Sequence, residues 1–122
     1  MKCNVGDIVL VNNFKYPDGR PGSLHSFVVM DVVMDEFEII NLDYLCFLIS
    51  SNTDKSNDVN SDFPYNEPIA PTDDNGLKKQ SHVKCDFLYD TIKEEDIFMR
   101  IGVITPAQYS RFIELFQKSQ ER

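Results

Sequence analysis

His25 and Arg20, in the Gly- and Pro-rich stretch that follows the first apolar run, are the first side chains here suited to meeting a ligand; Lys84 and Asp86, in the short run HVKCD, are the second set. A histidine takes or gives a proton near neutral pH, and an arginine stays charged at any ordinary pH. Lys84 and Asp86 stand two apart, so a strand puts both on one face and turns Cys85 to the other. The stretch Gly6 to Val33 and the run His82 to Asp86 are therefore expected to be spatial partners.

The elements that must hold these groups are mostly strands. Asp7 to Val11 reads as a first strand, and Phe27 to Val33, rich in β-branched residues, as a second. Between them Phe14 to Ser26 contains Pro17-Asp18-Gly19 and Pro21-Gly22, turn signals that predict a long loop of the kind that serves as a binding or lid element. Met34 to Glu36 reads as a turn, Phe37 to Leu42 as a third strand ending at Asp43, and Tyr44 to Ser50 as a fourth. From Ser51 to Gln80 the composition shifts to Ser, Asn, Asp, Pro and Gly, which predicts a surface insertion or a partly disordered lid, pinned at its middle by Phe63, Tyr65 and Ile69.

Strand character resumes at His82 to Leu88. Tyr89 to Thr91 reads as a weak turn, Ile92 to Met99 as a solvated connector or short helical turn, and Arg100 to Ile104 as a final strand. Thr105 is a good N-cap, Pro106 suits the first helical position, and Gln108 completes a capping box. Tyr109, Phe112, Ile113 and Phe116 then repeat with helical spacing, so one face of this helix must pack on the sheet or on another subunit. The expected fold is mainly β with a C-terminal helix, a small β-barrel of SH3-like size.

A chain of 122 residues supports one domain, here residues 1–122 with the insertion at about 51–80. Its net charge of -8 excludes a protein that grips nucleic acid over its whole surface, so any RNA contact must be local. The start Met1-Lys2-Cys3 has no apolar secretion core and no stretch approaches the ~20 apolar residues of a membrane span, which points to the cytoplasm and away from a membrane. Cys3, Cys46 and Cys85 make neither a disulfide framework nor a zinc pair, and Cys46 and Cys85 read as small buried residues. There is no Gly-rich phosphate loop and no metal-ligand cluster, so neither metal nor cofactor is expected.

The opening GDIVLV, the strand SFVVMDV, the run LCFLISSN, the later HVKCD and the ending RIGVITPAQYSRFIELF together resemble the MazF/PemK/Kid family of toxin endoribonucleases from type II toxin–antitoxin systems. The resemblance covers most of the chain outside the insertion. It implies an SH3-like barrel that forms a homodimer, cuts single-stranded mRNA without a metal by using the RNA 2′-hydroxyl as nucleophile, and is silenced by an acidic antitoxin segment. HVKCD resembles a family strand reading V-R-C-D, so the resemblance makes Asp86 the base and Lys84 the acid. Where the family loop ends in Arg-Pro this chain has His25-Ser26, which makes His25 an alternative acid, and Arg20 supplies the cation. Ser50, with Ser51 beside it, matches the family hydroxyl that bonds the scissile phosphate.

Three departures stand beside these matches. Lys84 lacks the flat guanidinium fork that suits a phosphate. His25 replaces an arginine. Phe87-Leu88-Tyr89-Asp90 replaces Gln-x-Arg-Thr after the C-D pair and removes a basic RNA contact. The bland readings are an edge-strand ion pair for Lys84 and Asp86, a surface histidine for His25, and a backbone cap for Ser50. Two further functions fit the same chain: a catalytically silent barrel that binds a protein or nucleic acid, and an interaction module that uses its apolar helix face.

Overall fold

A computed structural model describes residues 2–51 and 63–121. Its main element is an antiparallel sheet of six strands in the order β6-β7-β5-β4-β1-β8, where β1 is Asp7–Val11, β4 is His25–Met34, β5 is Asn41–Ser50, β6 is Asn66–Ile69, β7 is Ser81–Ile92 and β8 is Ile97–Val103. Two short strands, β2 (Phe14–Lys15) and β3 (Pro21–Gly22), pair with each other inside the loop after β1. The helix α1 (Pro106–Gln120) closes the described chain.

β7 and β8 lie far apart in the sheet order, yet only Lys93 and the 3-10 turn Glu94–Asp96 join them. The sheet must therefore curl. Its inner face holds Val9, Phe27, Cys46, Tyr89, Ile92 and Ile97 in one buried cluster, bringing residues of β7 and β8 into one core. The outer face holds Ile8, Val28, Phe47, Val83 and Cys85, packed against Phe112 and Leu115 of α1. β1, β4 and β5 are thus apolar on both faces, which is why DIVLV and SFVVM show no polar alternation.

Several sequence expectations are corrected. Phe37 to Ile40 is not a strand: Asp35 accepts hydrogen bonds from the main-chain N–H of Ile39 and Ile40, Glu38 adopts a left-handed φ of 58°, and β5 begins only at Asn41. A side chain that offers the backbone its own partners favours a turn over a ladder. Tyr89 to Thr91 is no turn, since Tyr89 and Ile92 fill the inner core and β7 continues through them. The last strand starts at Ile97, not Arg100, with Ile97 as its buried anchor. Within the Ser51 to Gln80 stretch, Asn66–Ile69 forms β6 on the edge of β7, and Ile69 is 1% exposed. Residues 52–62 of that stretch lie outside the described residues.

The helix starts as expected. The Thr105 hydroxyl accepts from the Gln108 N–H at 3.1 Å, and the Thr105 N–H donates to Gln108 Oε1 at 2.8 Å. Thr105→Ala removes the first of these bonds and is expected to cost about 1 kcal/mol. Urea unfolding checks this: the midpoint falls while the slope with denaturant stays the same.

Candidate functional site

β4 carries His25 at its first position, where it pairs with Val11 of β1, and β5 ends at Ser50, which pairs with His82 of β7. Lys84 lies opposite Leu48 of β5 and Asn66 of β6. Beyond Lys84 the register slips. From Leu48 to Cys46 β5 advances two residues, while β7 advances five from Lys84 to Tyr89. Extra residues in one strand make a bulge, which bends that strand and re-aims its side chains. Lys84 and Asp86 share one face as alternation requires, with Cys85 fully buried on the other. The slip then breaks the alternation, so that Phe87 and Tyr89 join Lys84 and Asp86 on a single open pocket.

That pocket has a volume of about 780 Å³. All six residues singled out in the sequence line it: Arg20, His25, Ser50, Ser51, Lys84 and Asp86. They come from three stretches of chain: the loop and β4 start, the end of β5, and β7. A second cavity of about 370 Å³, with Lys78 and Lys79 beside Leu24 and Leu77, shares His25 and Ser51 with the first. Among the described residues no three His, Cys, Asp or Glu side chains gather closely enough to hold a metal ion.

Each group has its own setting. His25 is half-buried, with its ring edge-on to Phe14 at 6.2 Å and Phe27 at 6.4 Å. Burial lowers its pKa below the usual 6.5, and a hydrogen bond with the Ile49 main chain offsets only part of that shift. The imidazole is therefore neutral at pH 7, a state that accepts a proton on one nitrogen and donates from the other. Arg20 pairs with Asp18 at 2.6 Å and lies 5.1 Å from the centre of the Tyr16 ring. Hydrogen bonds from the Arg20 main chain and side chain hold the Asp18 carboxyl below its usual range. Both partners are exposed, so a phosphate can replace the carboxylate at little cost. Lys84 stands 5.8 Å from the centre of the Phe63 ring, Ser50 is buried, and Asp86 and Ser51 are exposed.

Phe14 organises the loop side. Its ring meets Tyr16, His25, Phe27 and Tyr89 edge-on, and it lies where a side chain on Gly22 would be, with the nearest ring carbon 2.2 Å from that Cβ position. Only glycine leaves that space open. Sequence reading missed Tyr16, Phe87 and Tyr89 as lining residues. The two in β7 were read as a lost contact, because a strand bulge leaves no sequence signature that periodicity detects. Cys3, Cys46 and Cys85 form no disulfide and are buried, and burial pushes all three thiols up, as inert core residues require.

The depressed pKa of His25 makes stability depend on pH. The unfolded chain binds a proton near 6.5 that the folded chain binds only at lower pH, so stability is full above 6.5 and falls as pH drops through the folded value. His25→Gln is expected to flatten this part of the profile. Urea midpoints at intervals from pH 8 down to pH 5 check it, and parallel profiles for the two proteins would show that His25 is not the group responsible.

No family model matches the chain, and no curated protein matches it in sequence. Solved structures do match in fold. The chain is similar to the Mycobacterium tuberculosis toxin MazF-mt6, with a TM-score of 0.62 and 14% identity over 93% of this chain and 94% of that one. It is also similar to an endoribonuclease in complex with its cognate antitoxin from mycobacterial species, with a TM-score of 0.65 and 12% identity over 97% of this chain and 94% of the other. The curled antiparallel sheet with one C-terminal helix is therefore the fold of MazF-like toxins.

Proposed function

We propose that this protein is a toxin endoribonuclease that cuts single-stranded RNA at the pocket formed by His25, Ser50, Lys84 and Asp86, with no metal in the reaction. The observation that carries this reading is the convergence of six chemically suited side chains, distant in sequence, on one open pocket of a MazF-like fold. Substrate enters with a phosphate near Arg20 and Ser50, which bond its non-bridging oxygens. Asp86 takes the proton of the adjacent 2′-hydroxyl as that oxygen attacks phosphorus. The bond from phosphorus to the 5′-oxygen breaks, and the Lys84 ammonium gives that oxygen a proton. The products are a 2′,3′-cyclic phosphate and a 5′-hydroxyl. His25, neutral at pH 7 and with its one N–H held by the Ile49 main chain, serves as a second proton acceptor through its other nitrogen.

An acidic antitoxin segment is the expected inhibitor, since one fold neighbour is held in complex with its cognate antitoxin. Lys84, Arg20 and the nearby Lys78 and Lys79 supply local positive charge in a chain of net charge -8. A homodimer in the cytoplasm completes the proposal. The test is cleavage of a long single-stranded RNA by the purified protein in EDTA, with Asp86→Asn as control. Cutting by the parent and not by the variant supports the enzyme. No cutting by folded protein, at several pH values and low salt, overturns it in favour of a silent barrel that binds a partner.

A further inference from the structure

Phe87 is the unusual side chain of the pocket. It is a large apolar residue that remains 42% exposed, although its neighbours Tyr89 and Cys85 are buried. The register slip in β7 turns it to the same side as Lys84 and Asp86. Its ring meets that of Tyr89 in a T-shaped pair, with centroids 4.9 Å apart and planes at 79°, so this neighbour covers at most one face of Phe87.

Tyr89 is 7% exposed and its ring is held edge-on by Phe14, Phe27 and Phe87. Yet its hydroxyl has no hydrogen-bond partner among the described residues, and it is not sealed from the surface either. Tyr89 lines the same pocket as Tyr16 and Asp86. Burial, with these neighbours, raises its pKa to about 12, so the hydroxyl keeps its proton. A buried ring that presents an unused donor to an open pocket is built to meet a ligand atom.

We infer that Phe87 and Tyr89 form a subsite for one unpaired nucleobase beside the scissile phosphate, the base stacking on Phe87 and taking a hydrogen bond from the Tyr89 hydroxyl on a carbonyl edge. Stacking needs no positive charge, which resolves how an acidic chain holds RNA where basic contacts are few. The hydroxyl adds choice: guanine, uracil and cytosine present a carbonyl oxygen, whereas adenine does not. This subsite rests on the endoribonuclease reading for its substrate class.

The test is binding of short 2′-fluoro RNAs, which lack the nucleophile, to the purified protein by fluorescence anisotropy at fixed salt, with all four homopolymers compared. Phe87→Ala is expected to weaken binding about five- to a hundredfold, and Phe87→Tyr to retain it. Tyr89→Phe keeps the ring packing and is expected to narrow the preference for carbonyl-bearing bases over adenine, with an unchanged urea midpoint. If the parent cuts and binds RNA while Phe87→Ala and Tyr89→Phe bind every homopolymer like the parent, the subsite is wrong and the ribonuclease stands. If the parent neither binds nor cuts RNA, both fall, and a pocket that takes a protein segment replaces them.

Discussion

Asp86→Asn is expected to lower RNA cutting by about 10²–10⁴-fold while leaving the fold intact. Asn fills the same volume and still accepts a hydrogen bond through its carbonyl oxygen, but it cannot take the proton of a 2′-hydroxyl. Asp86 is exposed on β7, so the substitution removes no core contact and the urea midpoint is expected to hold. Lys84→Ala is expected to lower cutting too, through loss of both the proton donor and the charge near the phosphate. Lys84→Arg separates these two roles. Arginine keeps the charge and adds a bidentate fork, but it is a far weaker acid. Retained cutting in Lys84→Arg makes electrostatic stabilisation the main role of this position; loss of cutting makes it the proton donor. Cutting by Asp86→Asn at the parent's rate would remove the carboxylate from the mechanism altogether.

pH profiles bear on the same assignment. Because burial lowers the pKa of His25, a rate that depends on its neutral form rises with pH below 6.5 and levels off near neutrality. His25→Gln is expected to remove that limb if His25 handles a proton, and an unchanged profile would take His25 out of the proton transfer.

Much of this site was legible because its chemistry lies in strands with short, regular spacing. Lys84 and Asp86 share a face by simple alternation, and the apolar runs that became β1, β4 and β5 fixed where their neighbours had to be. The capping box of α1 was readable for the same reason, since Thr105 and Gln108 act over a single turn. What was not legible depended on contacts between distant residues. Asn66–Ile69 looks polar and loop-like, and becomes strand β6 only because the β7 edge offers it partners. Phe37 to Ile40 looks like a strand, and a single carboxylate, Asp35, makes it a turn. Tyr89 to Thr91 reads as a weak turn in the sequence, yet β7 continues through it, and the bulge there shifts the register and brings Phe87 and Tyr89 to the pocket.

Phe112→Ala is expected to give the largest loss of stability of any single truncation in the helix, about 3–5 kcal/mol. Phe112 is 1% exposed and packs in the outer cluster with Ile8, Val28, Ile69, Val83 and Cys85. It is the one fully buried large side chain of α1, and its cluster draws residues from β1, β4, β5, β6 and β7, so a cavity there loosens the contact between the helix and the sheet. For a domain whose whole stability is of order 5–15 kcal/mol, this is about a fifth or more of the total, and the urea midpoint must fall accordingly. The chemistry is expected to respond differently. Val83 and Cys85 face Phe112, whereas Lys84 and Asp86 face the pocket on the opposite side of the same strand. At low temperature, where Phe112→Ala remains folded, cutting should therefore persist within several-fold of the parent, while Asp86→Asn stays stable and inactive. A folded Phe112→Ala protein without activity would mean that α1 sets the position of the acid–base pair as well as the stability of the sheet.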